Sequence, residues 1–256
     1  MARRDDNLQA RLERDRAELK LSEIARADRE VVDEAARKGS SMLEVLTTLW
    51  GLEQAARQQR ALQRRLREAR LPKLKTLADY DFSFPKKVPK AVILRLFDRD
   101  FIGRHGCAVL MGPTGTGKSH WLTALGYTAA ERGFSVRHTR VVDMINHLTM
   151  AQINGLLGKA LRTYTRPSLL LLDELGYLPI DKRGADLLFQ VVAARYESGS
   201  IVLSTNRPFR EWGALFDVDN TLATALIDRL MHHGEAILIP GPSYHMKDKD
   251  SDPPSA

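Results

Sequence analysis

A phosphate-binding loop is the first feature of this sequence with the residue types and spacing for chemistry. Residues 112–119 fit the pattern G-x-x-x-x-G-K-[ST] in full, after an apolar run that ends at Met111 and before an apolar-periodic segment. Glycines let backbone N–H groups turn toward phosphate oxygens, and the following helix directs its positive end at the same anion. The loop and the residue after it are Gly112, Pro113, Thr114, Gly115, Thr116, Gly117, Lys118, Ser119 and His120.

The side chains of this loop predict a bound nucleoside triphosphate with Mg²⁺. We expect Lys118 to reach the β- and γ-phosphates and the Ser119 hydroxyl to ligate Mg²⁺. The backbone N–H of His120 also falls near the phosphates, whereas its ring is expected to pack or cap.

Two carboxylates follow the next strongly apolar run, Leu169–Leu172. Open α/β sheets bind ligands at the carboxyl ends of their strands, which is where Asp173 and Glu174 would lie. Asp173 is expected to join the Mg²⁺ shell through water, and Glu174 to polarise the attacking water. The sequence therefore predicts hydrolysis in addition to binding.

A further polar residue, Asn206, ends the apolar run Ile201–Thr205. Its amide could hydrogen-bond the γ-phosphate or the water that attacks it, which is the catalytic interpretation. Alternatively, it is a turn-forming residue before Arg207 and Pro208.

The segments around these residues alternate between strands and helices. Strands are predicted up to Met111 and over 134–139, 169–172, 201–205 and 236–239, with helices up to about 132, up to about 165, and over 184–198 and 222–232. Because the strands are continuous apolar runs, we expect an α/β fold with a parallel five-stranded sheet flanked by helices on both faces.

A small all-helical domain is predicted before this sheet. Residues 1–75 contain two or three helical patterns, and the composition changes near residue 75. Gly39 suits a helix end, and Ser41 with Glu44 forms a capping box for a helix whose apolar face carries four large side chains. These are Leu43, Leu46, Leu49 and Trp50. Residues 76–246 then form the nucleotide-binding domain, and 247–256 a disordered tail.

Composition favours a polyanionic partner and a cytoplasmic location. The net charge is +7, and Cys107 is the sole cysteine, so no internal disulfide forms. The sequence shows neither an apolar secretion signal nor 18 consecutive apolar residues, so we expect no membrane contact. Between Gly51 and Lys75, eight Arg or Lys residues accompany two Glu residues. This basic segment is either a solvated helix face or a contact for DNA phosphates.

Missing motifs exclude two classes of nucleotide-binding protein. GTPases carry an Asn-Lys-x-Asp element and ABC ATPases a Leu-Ser-Gly-Gly signature, and neither occurs here. An AAA+ ATPase, with a phosphate loop, an Asp-Glu strand end and a polar strand-end Asn in that order, remains.

Several longer motifs resemble the IstB-like ATPases, the helper subunits that insertion sequences encode beside their transposase and relatives of the DnaC-type helicase loaders. The resemblance covers about Leu71 to Tyr244. It rests on Leu172–Pro179, Arg195-Tyr196-Glu197 with Ser200-Ile201, Thr205-Asn206, Glu211-Trp212-Gly213 and Ala225–Leu230.

The resemblance implies an ATP-dependent protein that assembles as a multimer on double-stranded target DNA and recruits or stimulates its transposase. It also implies hydrolysis assisted by an arginine of the neighbouring subunit, which Arg229 matches. Otherwise Arg229 is an exposed helix cation that pairs with Asp228 or solvent.

One departure from the family concerns His245, which stands where members usually have the arginine of Ser-Tyr-Arg. A mostly neutral imidazole does not replace a permanent guanidinium fork. Hydrolysis is then weaker, or Arg207 or Arg210 substitutes. The alternatives to a transposition helper are a DnaC-like replicative helicase loader and an adaptor that binds ATP without turnover.

The pair His232-His233 resembles a metal-binding pair, but the sequence has no second ligand cluster at suitable spacing. The pair is therefore interpreted as a surface feature.

Overall fold

The computed structural model describes residues 2–73, 75–80, 82, 89–216 and 220–244. The chain divides into two compact units, Met1–Arg64 and Arg65–Ala256. The boundary between the two units thus lies within a helix. The domain boundary near residue 75, which the change in composition predicts, stays a prediction. His245 and the predicted tail at 247–256 lie outside the described residues.

The first unit is helical, as predicted. Its helices are α1 (Ala2–Glu18), α2 (Ser22–Lys38) and α3 (Met42–Ala69), and α3 continues into the second unit. Gly39 ends α2 in the left-handed conformation at φ 66°. The capping box is confirmed, because Ser41 N–H donates to Glu44 Oε2 over 2.6 Å and Glu44 N–H donates to Ser41 Oγ over 3.3 Å.

The apolar face predicted for α3 is wrong in direction. Leu49 is buried, but Leu43, Leu46 and Trp50 are exposed by 73%, 45% and 62%. The buried stripe instead runs from Leu49 to Glu53, one helical turn on, where the carboxylate is only 4% exposed.

Hydrogen bonds to Glu53 explain this direction. Glu53 Oε2 accepts the Glu23 N–H at the start of α2 over 2.9 Å, and Oε1 accepts Arg57 and Arg60, each over 3.0 Å. Loss of solvent opposes ionisation, but these bonds outweigh it and lower the pKa of Glu53. The hydrogen bonds of the charged residue Glu53 therefore determine which face of α3 is buried. The spacing of apolar residues does not reveal such a contact.

The second unit is built on a five-stranded sheet. Its strands are β1 (Cys107–Met111), β2 (Val136–Arg140), β3 (Leu169–Leu175), β4 (Ser200–Thr205) and β5 (Gly234–Leu238). They lie in the order β2-β3-β4-β1-β5, and all the pairs are parallel. The predicted fold class is confirmed.

Helices cover both faces of this sheet. The helices of the second unit are α4 (Lys90–Leu96), α5 (Arg99–Gly103), α6 (Lys118–Glu131), α7 (Val141–Ile153), α8 (Leu157–Thr165), α9 (Lys182–Arg195), α10 (Trp212–Leu215) and α11 (Asn220–Met231), with a 3₁₀ turn at Phe209–Glu211. Leu170 and Leu172 belong to the core formed with α7 to α11. Leu171 faces the other way, where its side chain borders Gly126 of α6. Alternate residues of this fully buried strand therefore pack against the helices on opposite faces of the sheet.

Arg195 joins the loops that enter β3 and β4. It is 1% exposed, and burial lowers its pKa to about 10. Nη1 donates to the carbonyls of Tyr164, Thr165 and Pro167 over 2.9, 3.1 and 2.8 Å, and Nη2 to those of Ser168 and Ser200 over 3.2 and 2.7 Å. The planar fork of guanidinium donors thus bonds five backbone carbonyls from two segments of the chain.

Replacing this fork should destabilise the second unit. A lysine has three donors on one atom, so Arg195→Lys leaves buried carbonyls unpaired, and we expect the free energy of unfolding to fall by about 2–4 kcal/mol. Denaturant unfolding measures this. Arg183→Lys, at an exposed position on the same helix, is the matched control and should change stability by less than about 0.5 kcal/mol. Equal effects of the two changes would contradict the role of Arg195.

Candidate functional site

The phosphate-binding loop is a tight backbone cradle between β1 and α6. Gly115 and Gly117 have φ of 81° and 91°, a region that disfavours side chains. A Cβ on Gly112 would lie 2.2 Å from the Ile239 carbonyl oxygen, and one on Gly115 would lie 2.0 Å from Ser243 Oγ. The segment after β5 therefore rests directly on the loop, and all three glycines are required by geometry.

Lys118 lies across the loop at the start of α6. Its side chain is 5% exposed, and Nζ donates to the carbonyls of Gly112 and Pro113 over 2.7 and 2.6 Å. Burial lowers the pKa of Lys118, and the negative charge of Asp173 acts in the opposite direction. The ammonium group is thus held at the mouth of the cradle.

Asp173 is a buried carboxylate with three hydroxyl or imidazole neighbours. Burial opposes its ionisation, but the neighbouring His138, Ser204 and Ser119 side chains outweigh burial and hold its pKa below the ordinary value. Ser204 Oγ donates to Oδ1, and His138 Nε2 lies 3.7 Å from Oδ2. The structure therefore brings together the two predicted Mg²⁺ ligands, Ser119 and Asp173.

Glu174 leaves the strand in a different direction. Its φ is 63°, and the pairing of β3 with β4 is irregular between Leu172 and Leu175, so a bulge turns the backbone. The Glu174 N–H donates to Asp173 Oδ1 and to Ser204 Oγ, each over 3.0 Å. The carboxylate is 38% exposed, lines the same cleft as the loop and lies 4.0 Å from Arg140 Nη1.

Asn206 lies beyond the end of β4. Its Oδ1 is buried without a hydrogen-bond partner among the described residues, and it borders Gly176 in the loop after β3. It is not among the residues that line the cleft. The neighbouring turn is closed by Thr205 Oγ1, which accepts the Arg207 N–H over 3.0 Å. A buried, unsatisfied amide oxygen therefore lies one residue past the strand.

The cleft over the loop has a volume of ≈ 510 Å³. Six of its lining residues were not predicted from the sequence, and they come from the segment before β1, from loops and from β4: Lys75, Asp79, Tyr80, Tyr177, Ser204 and Tyr244. A Cβ on Gly117 would lie 2.8 Å from the Tyr80 ring, and that ring packs at 4.0 Å on Trp121. The aromatic run around residue 80 was the available signal.

The ring of His120 joins this segment to α6. His120 Nε2 lies 3.1 Å from the Thr76 carbonyl oxygen, and burial lowers the pKa of the imidazole. The side chain therefore packs beside the loop rather than pointing into it.

Arg229 lies far from the cleft. It is in the last turn of α11, and β5 then begins at Gly234, which pairs with Cys107 at the start of β1. The loop follows the other end of β1, so Arg229 and Lys118 are at opposite edges of the sheet. Its guanidinium group lies 4.5 Å from the Phe189 ring centroid.

The donor set fits a nucleoside triphosphate and a divalent cation. Side chains at the glycines would fill the cradle, and a hydroxyl, an ionised carboxylate and an ammonium group meet beside it. Across the described ranges, none of the helices combines the length and apolar character needed to cross a membrane.

Comparison with known proteins agrees with this geometry. Residues 15–252 match the family described as IstB-like ATP binding protein. The chain belongs to this family. It is 36% identical to the insertion sequence IS21 putative ATP-binding protein of Pseudomonas aeruginosa, over 90% of this chain and 87% of that one. It is 35% identical to the insertion sequence IS232 putative ATP-binding protein of Bacillus thuringiensis subsp. berliner, over 90% and 92%.

The fold of this IstB-like chain also resembles a solved structure of DnaI. The TM-score is 0.55 at 19% identity, over 66% of this chain and 89% of that one. At this identity the likeness concerns the fold alone.

The Ser204 hydroxyl should stabilise the positions of Asp173 and Glu174. Ser204→Ala removes a donor to Asp173 and an acceptor for the Glu174 N–H, so we expect the free energy of unfolding at neutral pH to fall by about 1–3 kcal/mol. The pKa of Asp173 should rise. Because a lowered carboxyl pKa stabilises the fold above the unfolded value and is lost on acidification, the difference should shrink as the pH falls below about 4.

Unfolding curves at several pH values measure this effect. Ser198→Ala removes an exposed hydroxyl that bonds only the Ala194 carbonyl within its own turn, and should be nearly neutral. A Ser204→Ala protein with parental stability would show that the hydroxyl does not hold the two carboxylates.

Proposed function

We propose that this chain is an ATP-dependent DNA-binding transposition helper that hydrolyses ATP to ADP and phosphate. The observation that carries the proposal is the cleft in which a complete phosphate-binding loop faces an ionised, buried Asp173 and a separately directed Glu174. Membership of the IstB-like family and relatives from insertion sequences support the biological role.

In this proposal, the loop N–H groups and Lys118 bind the phosphates of ATP. Ser119 directly, and Asp173 through water, would hold Mg²⁺, which would neutralise charge on the phosphates. Glu174 accepts a proton from the attacking water, and its 38% exposure leaves it accessible to that water. Asn206 orients the water, which would donate to its unsatisfied Oδ1, or donates from Nδ2 to a phosphate oxygen.

Loss of the carboxylate at Glu174 should separate binding from hydrolysis. Glu174→Gln keeps the side-chain shape but removes the proton acceptor, so we expect steady-state ATP turnover to fall by about 10²–10⁴-fold with little change in nucleotide affinity. Calorimetry and phosphate release measure the two quantities. Lys118→Ala is the contrasting variant, because it removes the cation at the cradle and should lose nucleotide binding. Parental turnover by Glu174→Gln would refute the assignment.

Arg229 is proposed to act on the nucleotide of a neighbouring subunit. Its position at the edge of the sheet opposite Lys118 supports this, because it lies too far away to line its own cleft. A cation placed at the transferred phosphoryl group neutralises the charge that develops there. Head-to-tail contacts of this kind would build a ring or an open helical assembly.

Subunit mixing tests this arrangement. Arg229→Ala and Glu174→Gln proteins should each turn over ATP slowly, whereas their mixture should recover a measurable part of the parental rate. In mixed assemblies, some intact Glu174 sites receive an intact Arg229 from the neighbour. Arg183→Ala serves as the control for loss of one exposed arginine. A mixture no faster than its components would exclude an arginine that acts between subunits.

Duplex DNA is proposed as the partner of the basic segment at the end of α3. Arg57 and Arg60 pair with Glu53, and Arg65 Nε donates to the Ala130 carbonyl over 2.8 Å, so three of the eight cations are engaged within the protein. Arg64 is exposed at the end of the first unit, and Arg67, Arg70 and Lys73 are exposed in the second unit. The three exposed cations of the second unit are the ones proposed for phosphate contacts.

Salt dependence tests this contact. If all three cations neutralise phosphates, replacing them with alanine should reduce the slope of log K against log salt by about 2.7, since each contact contributes about 0.9. Binding should also prefer duplex over single-stranded DNA, and a helicase loader would show the reverse preference. An unchanged slope would mean that DNA binds elsewhere. Co-purification with the transposase from the same insertion sequence tests the remaining partner.

A further inference from the structure

A second group of possible metal ligands lies at the edge of the sheet opposite the nucleotide cleft. His232 and His233 follow α11 and precede β5, and Glu197 lies in the turn between α9 and β4. One ligand atom from each of the three lies within 4.8 Å of the other two. Glu197 is far from the two histidines in the sequence, because β4, α10 and α11 lie between them. The sequence alone therefore does not identify Glu197 as a third ligand.

The distances within this group suit a bound ion. His233 Nε2 and Glu197 Oε1 are 3.4 Å apart, beyond a good hydrogen bond. Two ligand atoms that each lie at zinc-binding distance in a tetrahedral site are about 3.4 Å from each other. The imidazole and carboxylate are therefore already separated as two ligands of one metal would be.

The second imidazole is oriented by a neighbour. The Tyr196 hydroxyl lies 2.8 Å from His232 Nδ1, and the two imidazole rings have centroids 4.2 Å apart. Metal-ligating histidines commonly use one ring nitrogen for such an outer hydrogen bond, which fixes the other nitrogen toward the metal. Tyr196 thus leaves Nε2 of His232 for a ligand.

The backbone holds the carboxylate in an unusual conformation. Glu197 has φ 57°, in the left-handed region that non-glycine residues rarely adopt. Two backbone hydrogen bonds fix this turn. The Tyr196 N–H donates to the Ala193 carbonyl over 3.3 Å, and the Ser198 N–H donates to the Arg195 carbonyl over 3.0 Å. A rigid turn therefore presents the carboxylate to the two imidazoles.

We infer that Glu197, His232 and His233 form a binding site for a divalent transition metal, with zinc as the best match. Two imidazoles and one carboxylate are typical zinc ligands, and an exposed group of three leaves a fourth position for water. The site is separate from the Mg²⁺ position proposed at Ser119 and Asp173, and does not depend on it.

Zinc titration of the untagged full-length chain, in excess Mg²⁺, tests this site. We expect one Zn²⁺ per chain by calorimetry, with a matching rise in the midpoint of thermal unfolding. Asp173→Asn should bind zinc as the parent does, because the site lies at the other edge of the sheet. A chain that binds no Zn²⁺ under these conditions would overturn the inference.

Three substitutions locate the bound ion. His233→Gln should weaken zinc binding by at least about tenfold through loss of a direct ligand. Glu197→Gly should do the same and should still fold, because glycine adopts φ 57° without strain. Tyr196→Phe removes the outer hydrogen bond but no direct ligand, so it should weaken binding by about tenfold and keep the stoichiometry of one.

His147 provides the matched control. It is also an exposed histidine with a tyrosine partner, since its Nδ1 lies 2.8 Å from the Tyr164 hydroxyl, but it is not part of a three-ligand group in the described chain. His147→Gln should leave zinc affinity unchanged. An equal loss in His147→Gln and His233→Gln would show scattered surface binding and refute the site.

Cobalt gives an independent readout of geometry. Co²⁺ in a site with two imidazoles, a carboxylate and one water should show the strong visible absorption of four-coordinate cobalt, and His233→Gln should abolish it. The weak spectrum of octahedral, hydrated Co²⁺ in the parental chain would contradict the proposed coordination.

Discussion

The position of β4 between β1 and β3 determines the geometry of the whole site. Neighbouring strands lie about 4.8 Å apart, so β1, which leads into the phosphate loop, and β3, which ends at the carboxylates, lie about 10 Å apart. β4 contacts both sides of this gap. The Thr205 carbonyl accepts the Gly112 N–H over 3.2 Å, and the adjacent Ser204 hydroxyl bonds Asp173. One strand thus fixes the loop and the carboxylate relative to each other, with room between them for phosphates and a cation.

The two edges of the sheet carry different chemistry. Strands of five residues are about 16 Å long, so groups at the amino edge cannot reach a ligand held at the carboxyl edge of the same molecule. Arg229 and the ligand group Glu197, His232 and His233 all lie at the amino edge. Their chemistry is therefore available to a neighbouring subunit or to a separate ion. This arrangement is why an assembly, and not an isolated chain, is the functional unit that we propose.

Local features were predictable from the sequence, whereas contacts between distant segments were not. The strands are long apolar runs, which predict the fold class. The spacing of the glycines, Lys118 and Ser119 is specific to phosphate-binding loops, so the positions of Lys118 and Asp173 in the site were also predictable. The prediction of which face of α3 is buried was wrong, because that face depends on a charged residue, Glu53, which accepts a backbone N–H at the start of another helix. Other features depend on partners from remote elements, which periodicity cannot reveal. These are Ser204 and His138 beside Asp173, Tyr80 over the loop, and Glu197 beside the histidine pair.

The bulge at Glu174 explains how two adjacent carboxylates acquire different environments. A regular strand would alternate their side chains across the sheet, with one of them buried in a helix layer. The left-handed backbone at Glu174 instead leaves Asp173 buried beneath the loop and directs the next carboxylate into the cleft. The Glu174 N–H stabilises this turn by donating to both Asp173 Oδ1 and Ser204 Oγ. The strain of the turn is therefore offset by hydrogen bonds to Asp173 and to the Ser204 hydroxyl that also bonds Asp173, so the two carboxylates depend on one local structure.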